Sequence, residues 1–335
     1  MKWVFELPHF QYGAGGIRVV IELAREVQRQ GHDVQLRFQR RHPQIENGVT
    51  DFGLPTTTGR DYSDFPSCDT AVTYSDTDNI EGFMAAPQIG KKAIFMLSFG
   101  MAPNIETKNV MTPGLTIFTS SYRTQREITN HGIHSTNVGH GHDWHEFFPE
   151  PGVKKTNTAA VLFHTAKDKR YEMAMNVAAL LCKNKMLAGI NAFGMFSIGS
   201  GPYLKAEKWV DATGCSFSFY PNADRATIRN IFSASKLFIM PSVTEGYNLT
   251  PAEATLCGCP TILCDGAIGE LYFTNVNCRI VNRDRIHEMY GAAKEIMEGG
   301  PDLAEKWRGK MAVMTNGLTW ERTAKLIIEA MSGTA

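Results

Sequence analysis

Two glutamates, Glu245 and Glu253, bracket the segment EGYNLTPAEA. The segment follows the apolar run KLFIMPS, so it occupies the turn at the carboxyl end of a predicted strand, where open α/β sheets bind ligands. Carboxylates in such a turn accept hydrogen bonds from hydroxyl groups. Gly246 lets backbone come close to a ligand. Thr250, Pro251 and Glu253 read as N-cap, N1 and N3 of the following helix, a capping box. That box accounts for Glu253 by itself, although a carboxylate at N3 also reaches a ligand's hydroxyls. Glu245 has no capping role, and its place in the turn points to binding. The helix start would present amides and a positive dipole end to an anion.

Cations suited to an anionic ligand occur in HTAKDKR, at another predicted strand–helix turn: Lys167, Lys169 and Arg170. Asp76-Thr77-Asp78 has an Asp-x-Asp spacing that can hold a divalent cation, but its aspartates also cap a helix start, and no metal is expected there. His131, His134, His140, His142 and His145 crowd one stretch and read as surface or cleft residues, whereas His9 stands before the glycine-rich GAGG at 13–16. Gly13 and Gly15 fit the opening of a dinucleotide fingerprint, but Arg18 occupies the third glycine position, and the bland reading is a tight turn needing positive φ. Arg37, Arg40 and Arg41 could hold a 2′-phosphate, which keeps an NADP-dependent oxidoreductase as the rival reading. Cys257, Cys259 and Cys264 lack zinc-site spacing. With seven cysteines, mostly in apolar runs, reduced thiols are expected.

The elements that position these residues follow a repeated rhythm. WVFELPHF is a strand, QYGAGG a glycine turn, and 17–30 a helix with Ile17, Val20, Ile21, Ala24 and Val27 on one face; Gly31 ends it and HDVQLRF is the next strand. DTAVTY, KKAIFMLSF and LTIFTSS continue the series. EPGVKKTNT at 150–158 reads as a linker. The rhythm then restarts with AAVLFHT, AFGMFSIG, CSFSFY, KLFIMPS, PTILCD and CRIVN, as parallel doubly wound sheets require. The 335 residues suffice for two domains, 43% are apolar and 20% charged, and Lys plus Arg equals Asp plus Glu at 34 each. A neutral chain gives no global argument for nucleic acid or an anionic membrane. The N-terminus shows no signal-peptide pattern and no run approaches the ~18 apolar residues of a spanning helix, so a cytoplasmic location is expected.

The segment EGYNLTPAEA resembles the Glu-x7-Glu motif of retaining glycosyltransferases of the GT-B fold. GAGGIRVVIELAREVQRQGHDV, VGHGHDWHEFFP, FSIGSGP, EATLCGCPTILCD and LTWERTAKLIIEAM are similar, in order and spacing, to further segments of that family. The resemblance implies an α/β protein with two Rossmann-like domains, their parallel sheets facing an interdomain cleft. It implies an acceptor domain at 1–149, onto which a terminal helix at 316–335 packs back, and a nucleotide-sugar donor domain at 150–315. Glu245 would contact donor-sugar hydroxyls and Glu253 the ribose. Amides near Tyr247, Asn248, Leu249 and Thr250, with Gly246, Gly15 and Gly16, would approach sugar and diphosphate. Lys167, Lys169 and Arg170 would neutralise the diphosphate without a metal or other cofactor, and His9 would touch acceptor or sugar. Asn248 stands where the family usually has glycine, and the family's glycine–arginine pair after the first strand of the second domain is absent. Partners implied are a nucleotide sugar and a glycan, lipid-linked or other hydroxyl acceptor. A phage-type DNA acceptor, peripheral membrane association and a nucleotide-sugar binder without catalysis are further alternatives.

Overall fold

Short apolar strands alternating with amphipathic helices can bury both strand faces only by placing helices on each side of a parallel sheet. The computed structural model describes residues 1–9, 15–46, 52–75, 77, 79–99, 103–164, 166–266 and 269–333. The chain divides into two compact units, residues 1–142 with 317–335, and residues 143–316.

In the first unit the strands are β1 Lys2–Leu7, β2 Asp33–Phe38, β3 Thr56–Thr58, β4 Cys68–Tyr74, β5 Ile89–Met96, β6 Thr116–Thr119 and β7 Thr136–Asn137. In the second they are β8 Thr158–Phe163, β9 Gly189–Gly194, β10 Ser216–Pro221, β11 Leu237–Met240, β12 Thr261–Cys264 and β13 Arg279–Val281. The helices are α1 Gly15–Arg29, α2 Pro43–Glu46, α3 Ile80–Ala85, α4 Pro103–Val110, α5 Tyr122–Thr129, α6 Tyr171–Lys183, α7 Gly201–Asp211, α8 Arg225–Ala234, α9 Leu249–Leu256, α10 Ile286–Thr315 and α11 Trp320–Ser332. A kink at Gly300–Pro301 interrupts α10. The strand orders are β3-β2-β1-β4-β5-β6-β7 and β10-β9-β8-β11-β12-β13, every pairing parallel. Each sheet grows one way from its first strand and then switches to that strand's other side, the Rossmann-type order.

Side-chain alternation on β1 shows how both faces are filled. Trp3, Phe5 and Leu7 enter one core with α1 and α11, while Val4 packs with Tyr62 and Phe83 on the other face. Trp320, Ala324, Ile327 and Met331 of α11 lie in the same core as Ile17, Val20 and Val27 of α1. Each such large apolar side chain contributes roughly 2 kcal/mol on burial. Residues 143–156 run along α8: Arg225 pairs with Asp143 at 2.9 Å and with Glu146, Arg229 pairs with Glu150, and the Thr156 amide donates to the Ala234 carbonyl at 2.7 Å.

Several local expectations are corrected. Gly15 and Gly16 form the first helical turn of α1 rather than a positive-φ turn, and Gly13 lies outside the described residues. The strand expected at AFGMFSIG is the earlier GINAFG; it stops at Gly194, where φ is 152° and a Cβ would sit 1.8 Å from the Phe163 carbonyl oxygen. The expectation of reduced thiols fails for one pair: Cys182, near the end of α6, is disulfide-bonded to Cys215, just before β10, with Cα atoms 6.0 Å apart. Cysteine counting misses this pair because residues 33 apart in sequence are brought together by the fold.

Candidate active site

The second unit's switch point lies between β8 and β11, which pair directly. The loops leaving their carboxyl ends, 164–170 and 241–248, are therefore neighbours. The Val243 amide donates to the Asp168 carbonyl at 2.9 Å and ties them together. At this junction Lys169 Nζ lies 2.5 Å from Glu245 Oε1, with the two side chains only 16% and 9% exposed. Asp168 contributes a more distant carboxylate, 3.9 Å from the same ammonium. An ion pair this enclosed is weakly screened and positions both partners.

The first loop turns sharply to bring Lys169 there. Residues Lys167–Lys169 form one 3₁₀ turn, and Arg170 takes a left-handed conformation with φ 46° before α6 begins. The turn sends successive cations in different directions. Arg170 reaches the Arg283 carbonyl at 2.5 Å and Asp284 at 3.6 Å. Lys167 and Arg170 line a cavity of about 600 Å³ with Tyr171 and Arg283. Of the three expected cations, the structure brings Lys169 alone to Glu245. At the start of the loop, the Ala166 amide donates to His164 Nδ1 at 3.0 Å. Burial, then the nearby Lys169 charge, lowers the His164 pKa.

The second loop ends in α9, and here the capping expectation is corrected. The helix starts at Leu249, so Thr250 lies inside its first turn and is not the N-cap. Asn248 holds the cap position in the left-handed region, φ 62° and ψ 68°, with no side-chain capping bond. Asparagine is among the few non-glycine residues that occupy this region readily, which explains how it replaces glycine here. Tyr272 completes the helix start: its hydroxyl accepts from the Ala252 amide at 3.1 Å and donates to the Asn248 carbonyl. Tyr247 and Asn248 are buried, while Glu245, Gly246, Leu249, Thr250 and Glu253 are half-buried around the turn.

The remaining candidates are dispersed. His9, Gly15 and Gly16 belong to the first unit. Asp76 and Asp78 lie outside the described residues. His131 bonds the Glu127 carbonyl and packs on Phe99, His140 and His142 are buried, and His134 and His145 are exposed. Among the described residues no group of three or more His, Cys, Asp or Glu side chains is placed to hold a metal ion. Cys257, Cys259 and Cys264 are buried free thiols, and burial pushes Cys259 and Cys264 up to about 12.

The 2′-phosphate reading of Arg37 is also corrected. Arg37 is 1% exposed and paired with Glu6, which also accepts from Tyr62 at 2.8 Å, Gln39 at 3.1 Å and Thr73 at 3.2 Å. A guanidinium committed to that network cannot also hold a cofactor phosphate. Sequence reasoning misses His164 and Tyr272. His164 carries a usable signal, since it directly follows the apolar run of β8, but nothing local marks Tyr272.

Residues 160–299 match the sequence family described as glycosyl transferases group 1. A D-inositol 3-phosphate glycosyltransferase of Rhodococcus erythropolis is 26% identical over 114 residues, 34% of this chain and 26% of that protein. The match thus spans about a quarter of that relative's length. The fold is similar over the whole chain to HepE of Anabaena, solved with UDP and glucose, at TM-score 0.77, 14% identity and 99% coverage of both chains. It is also similar to a sucrose-phosphate synthase from Thermosynechococcus elongatus, at TM-score 0.80 and 13% identity, covering 100% of this chain and 99% of the other. The chain as a whole has the GT-B glycosyltransferase fold, and within its second unit residues 160–299 are similar to the glycosyl transferases group 1 family.

Proposed function

We propose that the protein transfers a sugar from a nucleotide-sugar donor to an acceptor hydroxyl with retention of anomeric configuration and without a metal or other cofactor. The observation that carries this reading is the Lys169–Glu245 pair at the switch point, directly before the start of α9. Glu245 accepts from donor-sugar hydroxyls, and Glu253 accepts from the ribose. Amides from Gly246 to Thr250 and the α9 dipole face the diphosphate. Lys169 offsets charge that grows on the leaving diphosphate as the glycosidic bond breaks. Lys167 and Arg170 add positive potential beside it. The departing phosphate oxygen takes the proton of the attacking acceptor hydroxyl, on the face from which the leaving group departs. The first unit holds the acceptor, with Gly15, Gly16 and His9 as its candidate substrate contacts.

UDP with glucose in the HepE crystals supports a UDP-sugar as the first donor to test. The acceptor class is a glycan or glycoconjugate, lipid-linked or nucleic-acid hydroxyls being the variants, and the location is cytoplasmic with peripheral membrane association. Among the described residues no helix is long and apolar enough to cross a membrane. The test is incubation with UDP-, GDP- and dTDP-sugars, measuring released nucleoside diphosphate and the anomeric configuration of the product. An inverted product overturns the stereochemical assignment. Absence of nucleotide release across the donor panel, with NADPH bound instead, overturns the transferase reading.

A further inference from the structure

We infer that His164 is a donor-binding residue, giving its Nε2 proton to a phosphate oxygen of the nucleotide sugar; this rests on the glycosyltransferase reading above. The ring's tautomer is fixed by its neighbour. A backbone amide can only donate, so Ala166 N–H at 3.0 Å makes Nδ1 an acceptor, and the neutral ring carries its proton on Nε2. The charged groups acting on the ring are Lys169, Asp168 and Glu245. Burial and the Lys169 ammonium both oppose protonation, the two carboxylates favour it, and the net balance keeps the imidazole neutral. His164 thus presents one N–H donor of known position and no second positive charge.

Position supplies the rest. His164 directly follows β8, the strand from which both halves of the second sheet diverge, and stands at the root of the loop carrying Lys169 to Glu245. Its ring is half-buried, and among the described residues Nε2 makes no hydrogen bond. A neutral donor beside an ammonium is a useful division of labour for a diphosphate. Lys169 supplies charge, already shared with Glu245, and His164 supplies direction without competing for that carboxylate.

Two substitutions separate the ligand role from the turn role. His164→Asn keeps an acceptor near the position of Nδ1 and removes the distal donor. His164→Gln places an amide N–H near the position of Nε2 and removes the acceptor for Ala166. Binding of UDP and of uridine is measured by calorimetry at pH 7.5, with thermal unfolding of each protein alongside. The expected result is UDP affinity reduced roughly 10-fold or more in His164→Asn, within about 3-fold of wild type in His164→Gln, and uridine affinity alike in all three. Thermal stability should follow the opposite order, with Asn close to wild type and Gln lower. UDP bound equally by wild type and His164→Asn overturns the inference while leaving the transferase reading in place. Affinity that tracks thermal stability across both variants overturns it in the same way. A wild-type protein that binds neither UDP, GDP nor dTDP overturns both.

Discussion

Lys169 and Glu245 hold one another in a setting where neither is well solvated, so each substitution has a separate signature. Glu245→Gln preserves shape and removes the acceptor charge; turnover should fall about 10²-fold or more, the scale of losing one strong polar contact in a transition state. An unchanged rate in a folded protein removes Glu245 from the mechanism. Lys169→Met strands a carboxylate that is 9% exposed, and should cost about 2–4 kcal/mol of stability as well as activity. Urea titration of the free protein checks the first effect independently of the second. The two glycines opening α1 make a sharper comparison. A Cβ at Gly15 meets nothing within 4 Å, whereas one at Gly16 would lie 2.2 Å from the Tyr74 hydroxyl oxygen. Gly15→Ala should leave stability equal or higher, because alanine favours helix, while catalysis falls if this turn contacts substrate. Gly16→Ala should lower stability by forcing Tyr74 aside. A Gly15→Ala enzyme with full turnover would exclude that turn from substrate binding.

The packing of residues 140–142 against the start of α11 shows how elements rather than single groups set a pH response. His140 lies beside Trp320 with the two rings tilted, donates from Nδ1 to the Gly141 carbonyl at 2.6 Å, and is only 4% exposed. Burial first, then the neighbouring His142, push its pKa down to about 3. The unfolded chain, with an ordinary histidine, therefore binds this proton more tightly. Stability contributed by neutral His140 is complete above about pH 6.5 and is lost as pH falls toward 3, by up to about 1.4 kcal/mol per pH unit. His140→Asn keeps a donor for Gly141 and should flatten the acid limb of a stability–pH curve; a parallel curve would show that other groups govern it. Elements of this kind differ in how plainly the sequence announces them. The apolar stripe Ile17–Val20–Ile21–Ala24–Val27 marks α1 because one face has to enter a core. The strand rhythm is legible because parallel central strands are apolar on both faces. The edge strands β3 and β7 are not, being short and built from threonine and asparagine. At the site, Glu245 and Lys169 can be read as candidates from their place after strands. Their pairing cannot, since it depends on which strands become neighbours. The start of α9 escapes a sequence reading because Thr-Pro-x-Glu imitates a cap, while the true cap is a left-handed Asn248 supported by Tyr272, 24 residues away.

At the scale of the molecule, the second unit carries a covalent brace that the first lacks among its described residues. Closing a loop between Cys182 and Cys215, 33 residues apart, is worth about 3–4 kcal/mol in chain entropy. Dithiothreitol should lower the melting temperature of that unit by roughly 10 °C in a calorimetric scan and leave the other transition in place. Identical scans would show that the two thiols are unpaired in solution. Turnover, by contrast, should survive EDTA, because the proposed site neutralises the diphosphate with Lys169 and helix amides. Activity lost in EDTA and restored by manganese or magnesium would reverse that assignment.

The place of α11 has a consequence for synthesis on the ribosome. Residues 143–316 are contiguous, so the second unit can complete its core soon after they emerge. The first unit is made earlier yet finishes later. Its core includes Trp320, Ala324, Ile327 and Met331, and the Lys91 ammonium bonds the Met331 carbonyl. Until those residues leave the exit tunnel, the face of α1 that α11 covers stays open to chaperones and proteases. Vectorial synthesis thus favours a second unit that folds ahead of the first, reversing the usual N-to-C order. On nascent chains stalled at increasing lengths, protease pulses should find the second unit resistant once residue 316 has emerged, and the first only at lengths that also expose residues 320–331.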